Sequence, residues 1–369
     1  MLDEIKISGL RGLDGLHLKG ADKYNLIVGP NNSGKTSFLE SLYLHCSPLN
    51  FQAVLSTLSL RNGGIQLSPH YIFEQLGWLF AKTKGQNTHK IEIEGRWKNV
   101  KRKTGLSIAD YERGGENMAS VFLPDTTSFP NFSRPEQRNE SKGIRIGTIF
   151  FSFQSDKQDE MTDHYDFITK DHFQIVPPKI NPDITAALSE PWLHKKPDSG
   201  IQEYDKSVKK NYDRKCLALM QKIDPDIENI SILLTGGAPQ LFVTHKKLGK
   251  MPLSNFGDGI RKMYLIAVTM ASCEGGVFLI DELESSIDSN ALKSLSDFVL
   301  SAAKELDVQI FATTHSLECI DAVLAGNFSA PDDLSLFKFG SKGDQISCKK
   351  ISGKILKDIR YEFGQDVRG

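Results

Sequence analysis

The sequence predicts an α/β fold with a parallel-rich core sheet, and three observations carry that prediction. An apolar strand near the start runs straight into a glycine loop and then a helix. Short, largely apolar segments alternate with helical ones over the last third of the chain. One of those apolar segments ends in two adjacent carboxylates. Strands apolar along their whole length suit a sheet covered by helices on both faces.

From the start, residues 2–20 predict two short strands of an antiparallel N-terminal sheet. Ile5 and Ile7 alternate in the first, Leu16 and Leu18 in the second, around a Gly-containing turn at 11–15. Tyr24–Val28 is a compact apolar strand ending at Gly29. Lys35–Cys46 places Phe38, Leu39, Leu42 and Leu44 at helical spacing. Residues 51–225 read as a mixed helical and β insertion: helices at 55–60 and 71–81, a strand at 89–97, polar Pro-containing loops over 105–142, and a β-rich run at 144–153. A charged helical stretch at 200–223 follows, closed by Pro225. Beyond it come strands at 231–234 and 241–245, a helix at 261–271, a strand at Val277–Ile280, a helix at 291–304 and a strand at 308–313.

Composition bounds the function. With 369 residues, 39% hydrophobic and 25% charged, the chain has material for a sizeable core. No window approaches the roughly 18 apolar residues of a membrane span. The opening MLDEIKISGL has no basic flank before an apolar run, so no signal peptide is expected. Five cysteines (Cys46, Cys216, Cys273, Cys319, Cys348) lie scattered without CxxC spacing, as reduced thiols in a cytoplasm would. A net charge of −1 argues against global attraction to nucleic acid.

Gly29-Pro30-Asn31-Asn32-Ser33-Gly34-Lys35-Thr36 fits GxxxxGK[ST] in full. Its glycines let backbone N–H groups wrap phosphates, and the following helix offers its positive N-terminal end. Asn31, Asn32, Ser33, Gly34, Lys35, Thr36 and Ser37 are therefore expected to hold ATP, with Lys35 on the outer phosphates and the Thr36 hydroxyl on Mg²⁺. The apolar strand Val277–Ile280 delivers Asp281 and Glu282 at its C-terminal end, where ligands sit in open α/β sheets. Asp281 suits Mg²⁺, directly or through water, and Glu282 suits polarising the attacking water. The two chain ends, 1–50 and 226–369, are then expected to form one nucleotide-binding lobe.

Further residues carry a family resemblance. Residues 281–288, DELESSID, are similar to the Walker B and D-loop of ABC-type ATPases, which puts Asp288 near nucleotide. Residues 311–316, FATTHS, resemble their switch-histidine strand, with His315 beside the γ-phosphate. Residues 252–262, PLSNFGDGIRK, resemble the signature loop and its helix. Aligning the signature on Gly259 puts Gly257 where the family has serine, so the γ-phosphate contact falls either to backbone N–H groups or to Ser254. Gln154, after the run 149–153, is the candidate Q-loop residue for nucleotide and metal. The chain most resembles the AAA-15/AAA-21 ATPases, relatives of the RecF, SMC and overcoming-lysogenization-defect (OLD) proteins, also through 11–13 and 223–228.

The resemblance implies an ABC-type ATPase head whose signature loop caps the nucleotide held by a second copy, in a head-to-tail dimer or higher oligomer. No heptad arm is present, the stretch after His315 is short for a TOPRIM nuclease domain, and no HxxxH, CxxC or HNH-like cluster appears. The expectation is thus an ATP-driven regulatory subunit of a prokaryotic defence system. It would control a separately encoded effector, such as a TOPRIM-like or HNH nuclease. The alternative is a RecF-like repair clamp touching DNA through Lys98, Lys101, Arg102 and Lys103, or Lys206, Lys209, Lys210, Arg214 and Lys215.

Overall fold

The computed structural model describes residues 1–62, 68–83, 86–87, 90–110, 145–168, 184–196, 199–326, 333–342 and 345–368; the loops expected over 111–142 lie outside these. The chain opens with β1 (Leu2–Ser8), β2 (Leu16–Lys19) and β3 (Tyr24–Val28), followed by α1 (Lys35–Cys46), α2 (Phe51–Asn62) and α3 (Pro69–Leu76). A short pair, β4 (Lys82–Thr83) and β5 (Gln86–Asn87), precedes β6 (Lys90–Trp97), β7 (Val100–Asp110), β8 (Arg145–Ser155), β9 (Gln158–Ile168) and β10 (Ala186–Ser189). Helices α4 (Ile201–Lys209) and α5 (Asp213–Ile223) lead into β11 (Ile227–Thr235), β12 (Ala238–His245) and β13 (Gly249–Pro252). The chain then runs through α6 (Asp258–Ser272), β14 (Val277–Ile280), α7 (Ser289–Glu305), β15 (Gln309–Thr313), α8 (Leu317–Leu324), β16 (Leu334–Lys342), β17 (Gln345–Ser352) and α9 (Gly353–Tyr361).

Two six-stranded sheets form the frame. One has the order β10-β14-β15-β3-β16-β17, parallel through its first five strands with β17 antiparallel at the edge. The other is wholly antiparallel, β2-β1-β6-β7-β8-β9. The parallel sheet is buried on both faces, and its side chains divide between two cores. Leu26, Val28, Phe278, Ile280, Ile310 and Ala312 enter the core under α5, α6, α7 and α8. Ile27, Val277, Leu279 and Phe311 enter the core shared with α1 and the antiparallel sheet. Strict alternation along a strand produces this division, since successive side chains point to opposite faces. Phe38 of α1 meets Phe311 and Phe339 edge-on, with centroids 6.2 and 5.4 Å apart.

Residues 51–225 supply helices and strands that hydrogen-bond into both sheets, including β10 at the edge of the parallel one. Loops were expected from 105, but β7 continues to Asp110 because Leu106 and Ile108 alternate into the core. The expected helix at 71–81 ends at Leu76, gives one 3₁₀ turn and becomes extended at Phe80. The stretch 200–223 divides into two helices where Asn211 adopts a left-handed φ of 56° and Tyr212 turns inward. Both ends of β15 are tied to distant segments. The Gln309 side chain exchanges hydrogen bonds of 2.7 Å with the Leu2 backbone, and Arg368 donates to the carbonyl of His315 at 3.0 Å.

Candidate active site

The glycine loop leaves β3 and re-enters helix at Lys35, with Gly34 as N-cap in a left-handed φ of 86°. A Cβ at Gly29 would stand 2.5 Å from the carbonyl oxygen of Phe339, and one at Gly34 would stand 2.6 Å from Leu13. Neither position tolerates a side chain. No side chain caps α1, so its positive end points into the loop.

Within the loop, Lys35 Nζ donates to the carbonyls of Gly29 and Pro30 at 3.0 and 2.9 Å. Burial lowers its pKa, against Asp281, Glu282 and Glu284, which pull it up. Thr36 Oγ1 donates to Asp281 Oδ2 at 2.9 Å, and Thr313 Oγ1 donates to Asp281 Oδ1 at 2.6 Å. The Thr313 hydroxyl also accepts from the amide of Glu282 at 2.8 Å. The ends of β14 and β15 are thereby joined beneath the loop. Glu282 sits in a left-handed φ of 48°, a conformation that non-glycine residues hold only when their surroundings enforce it. Lys262 of α6 helps enforce it, donating to the Glu282 carbonyl and to Ser285 Oγ. Glu284 accepts from the amide of His315 at 2.7 Å, tying the D-loop to the end of β15.

These groups border an open cleft of about 450 Å³ lined by residues 31–37, Pro191, Trp192, Asp281, Glu282 and His315. The candidates of the glycine loop, the carboxylate pair and the switch histidine thus meet in one place. A Mg²⁺–nucleoside triphosphate fits the donor set. Among the described residues the Lys35 ammonium bonds only to main-chain carbonyls and Ser33 Oγ is buried without a partner, while Thr36 and Asp281 face each other as hard oxygen ligands. When bound, the ion supplies charge neutralisation on the transferred phosphoryl group.

The other candidates lie elsewhere. Gln154 is corrected: it stands on β8 opposite Lys103, exposed, beside a cavity on the antiparallel sheet with Glu4, Lys6 and Arg96. The apolar run before it belongs to the antiparallel sheet, which does not approach the phosphate loop at that point. Ser254 is exposed and lines a separate depression with His194 and Arg261. Gly257 is exposed, and a Cβ there would meet nothing within 4 Å. Gly259 instead packs on its own D-loop, where a Cβ would stand 2.7 Å from the Ser286 carbonyl oxygen. Asp288 caps α7, accepting from the amides of Asn290 and Ala291 at 3.0 and 3.1 Å.

Sequence reasoning missed Glu190, Trp192, Lys262 and Thr313. Glu190 directly follows β10 and is 7% exposed. Burial pushes its carboxyl up to about 7; Lys196 opposes, while Asp281 and Glu40 add to the rise. The signal was present, an apolar strand ending in an acid, but β10 has only four residues. The two basic stretches are compensated in part. Lys103 pairs with Glu92 and Glu94, Lys209 with Asp205, Lys210 with Glu274 and Lys215 with Glu305.

Residues 85–321, more than half of the chain, match the AAA_21 family, "AAA domain, putative AbiEii toxin, Type IV TA system". A Methanocaldococcus jannaschii protein described as uncharacterized is 28% identical over 113 residues, 31% of this chain and 99% of that one. A DNA replication and repair protein RecF from Geotalea daltonii is 36% identical over 83 residues, but this spans only 20% of this chain and 22% of RecF. An ATP/GTP phosphatase from Helicobacter pylori is 21% identical over 347 residues, 87% of each chain. Among solved structures, an SMC head bound to the C-winged helix domain of ScpA has a TM-score of 0.51 at 13% identity, covering 95% of this chain and 98% of the other. That likeness is one of fold.

Proposed function

The chain belongs to the AAA_21 family and is an ATPase of the ABC type; from there we propose that it is the ATP-driven regulatory subunit of a prokaryotic anti-phage defence system. Two copies pair head to tail around ATP and Mg²⁺, and the pair controls a separately encoded cytoplasmic effector such as a TOPRIM-like or HNH nuclease. One observation supports the pairing above all: within a single chain, Ser254, Gly257 and Gly259 do not line the cleft that holds residues 31–37. A signature loop that is to cap a triphosphate must then reach one held by another copy. Opposed helix N-termini would neutralise the polyphosphate from both sides, so ATP joins the pair and hydrolysis releases it. Support for the defence role comes from the AbiEii toxin in the family's description. No helix among the described residues is long and apolar enough to cross a membrane.

The test uses Glu282→Gln, expected to bind ATP and hydrolyse it slowly, expressed with its neighbouring genes and purified with ATP and Mg²⁺. A paired complex carrying a stoichiometric second protein, read by light scattering and mass spectrometry, is the expected result. A monomer with bound ATP would remove the composite site. The second reading, a RecF-like clamp, draws on the similarity to RecF and predicts a bare dimer carrying nucleic acid. The ion pairs on Lys103, Lys209, Lys210 and Lys215 weigh against it.

A further inference from the structure

The edge of the parallel sheet at β10 is bare among the described residues. β10 pairs with β14 alone, the Val277 amide donating to the Thr185 carbonyl and the Asp281 amide to the Ser189 carbonyl, both at 2.8 Å. Residues 185, 187 and 189 therefore turn their main-chain groups inwards, while Ala186 and Leu188 turn theirs away from the sheet. Unpaired strand edges are templates for a further strand. A groove of about 430 Å³ runs beside this edge, walled by β10, α1, α4 and α6. Tyr43 and Leu265 give it apolar surface, and Lys196, Lys206 and Glu203 give it charge. Burial pushes the Cys273 thiol on its wall up to about 12; Lys206 and Lys210 oppose this rise more than Glu203 adds to it. Neither Lys196 nor Lys206 forms an ion pair among the described residues, whereas Lys209, Lys210 and Lys215 are each matched by an acid. The groove thus joins an open strand edge to unmatched positive charge.

We propose that this edge docks an extended, acidic segment of a partner protein, which joins the parallel sheet as a further strand. Its main chain bonds to Ala186 and Leu188, its apolar side chains meet Tyr43 and Leu265, and its acids face Lys196 and Lys206. Main-chain pairing gives the affinity, and the two lysines give the preference for acids. The position suits a regulated partner. β10 continues through Glu190 into Pro191 and Trp192, which line the phosphate-loop cleft, and β14 beside it leads into Asp281. In taking the partner to be the nucleotide-controlled effector, the proposal rests on the regulatory reading above; the docking edge itself does not.

The probe is a displayed library of random short peptides, selected on the intact protein. Enriched sequences should carry Asp or Glu beside alternating apolar residues, and a synthetic copy should bind saturably in fluorescence anisotropy. Lys196 and Lys206 are both exposed, so Lys196→Glu with Lys206→Glu should fold normally, as melting curves will check. That double reversal should weaken the peptide by about tenfold or more. Amide exchange at Ala186 and Leu188 should slow in the complex, the mark of main-chain pairing that charge attraction alone does not leave. Enrichment of no sequence or of basic ones overturns the proposal. So does a peptide indifferent to the double reversal, or one that leaves both amides unprotected. The same peptide is then titrated against Glu282→Gln with and without ATP and Mg²⁺. Docking that meets every criterion but ignores nucleotide would keep the site and remove the regulatory reading.

Discussion

Lys262 Nζ donates to the main-chain carbonyl of Glu282 at 2.5 Å, from a helix that begins at the signature loop. The side chain is 1% exposed and also reaches Ser285 Oγ. Burial brings its ammonium down to about 8, while Glu284, Glu282 and Asp281 hold it up, so the positive charge persists at neutral pH. One buried cation thus connects the helix that follows the 252–257 loop to the turn that holds Glu282.

Lys262→Met should break this connection. The Glu282 carbonyl loses a charged donor, an interaction of about 1.5–3 kcal/mol, and the left-handed turn loses a brace. Steady-state ATPase turnover should fall by about tenfold or more, while nucleotide affinity stays within about threefold, because the phosphate loop is untouched. Unchanged turnover would show that Thr313 alone positions Glu282.

The two signature glycines should respond oppositely to alanine. At Gly259 the new methyl would press on the Ser286 carbonyl, costing about 1–3 kcal/mol in urea unfolding. At Gly257 the backbone is extended, with φ −59°, and the space is open, so stability should change by less than about 0.5 kcal/mol. Loss of ATP-dependent pairing in Gly257→Ala, read by light scattering, would then mark an approach by the partner's nucleotide.

Asp288 offers a sharper test of the D-loop assignment. Asp288→Ala removes the cap of α7 and should cost about 1 kcal/mol, whereas Asp288→Asn keeps an accepting oxygen and should cost little. If turnover follows stability across both variants, the residue acts as a cap; if Asp288→Asn is stable yet slow, its charge is used in the nucleotide site.

Acid should weaken the fold partly through His45. Burial and the nearby Arg102 depress this imidazole from 6.5 to about 3. The folded state therefore refuses a proton that the unfolded chain accepts. The stability this confers is full above about pH 6.5 and declines as pH falls towards 3, reaching a loss of about 2 kcal/mol near pH 5. Chemical denaturation of His45→Gln should show a shallower decline over this window. Equal slopes for both proteins would contradict the assignment.

Parts of this site were legible because their chemistry demands particular residues in one contiguous run. Residues 29–36 need glycines at two crowded positions, and 277–282 need an apolar strand before two acids. The rest depends on partners distant in the chain. Gln154 followed an apolar strand as a Q-loop residue should, but only β7 and β9 reveal that the strand lies in the antiparallel sheet. β9 is polar, and only Phe167 is fully buried, with Met161 and Tyr165 partly buried on the same face, so its alternation is faint in the sequence. Thr313 and Lys262 looked like ordinary members of a strand and a helix, and their importance lies wholly in the neighbours they reach.

Mechanical coupling of β15 to two distant segments is the consequence of its two tethers. Leu2 holds the strand at Gln309, and Arg368 holds the far side at the His315 carbonyl. A shift of His315 during a nucleotide cycle would be felt by the segment carrying Arg368, some fifty positions later. A dye attached at that segment should therefore report the nucleotide cycle from outside the cleft, and a bulky fusion at either tether should disturb it.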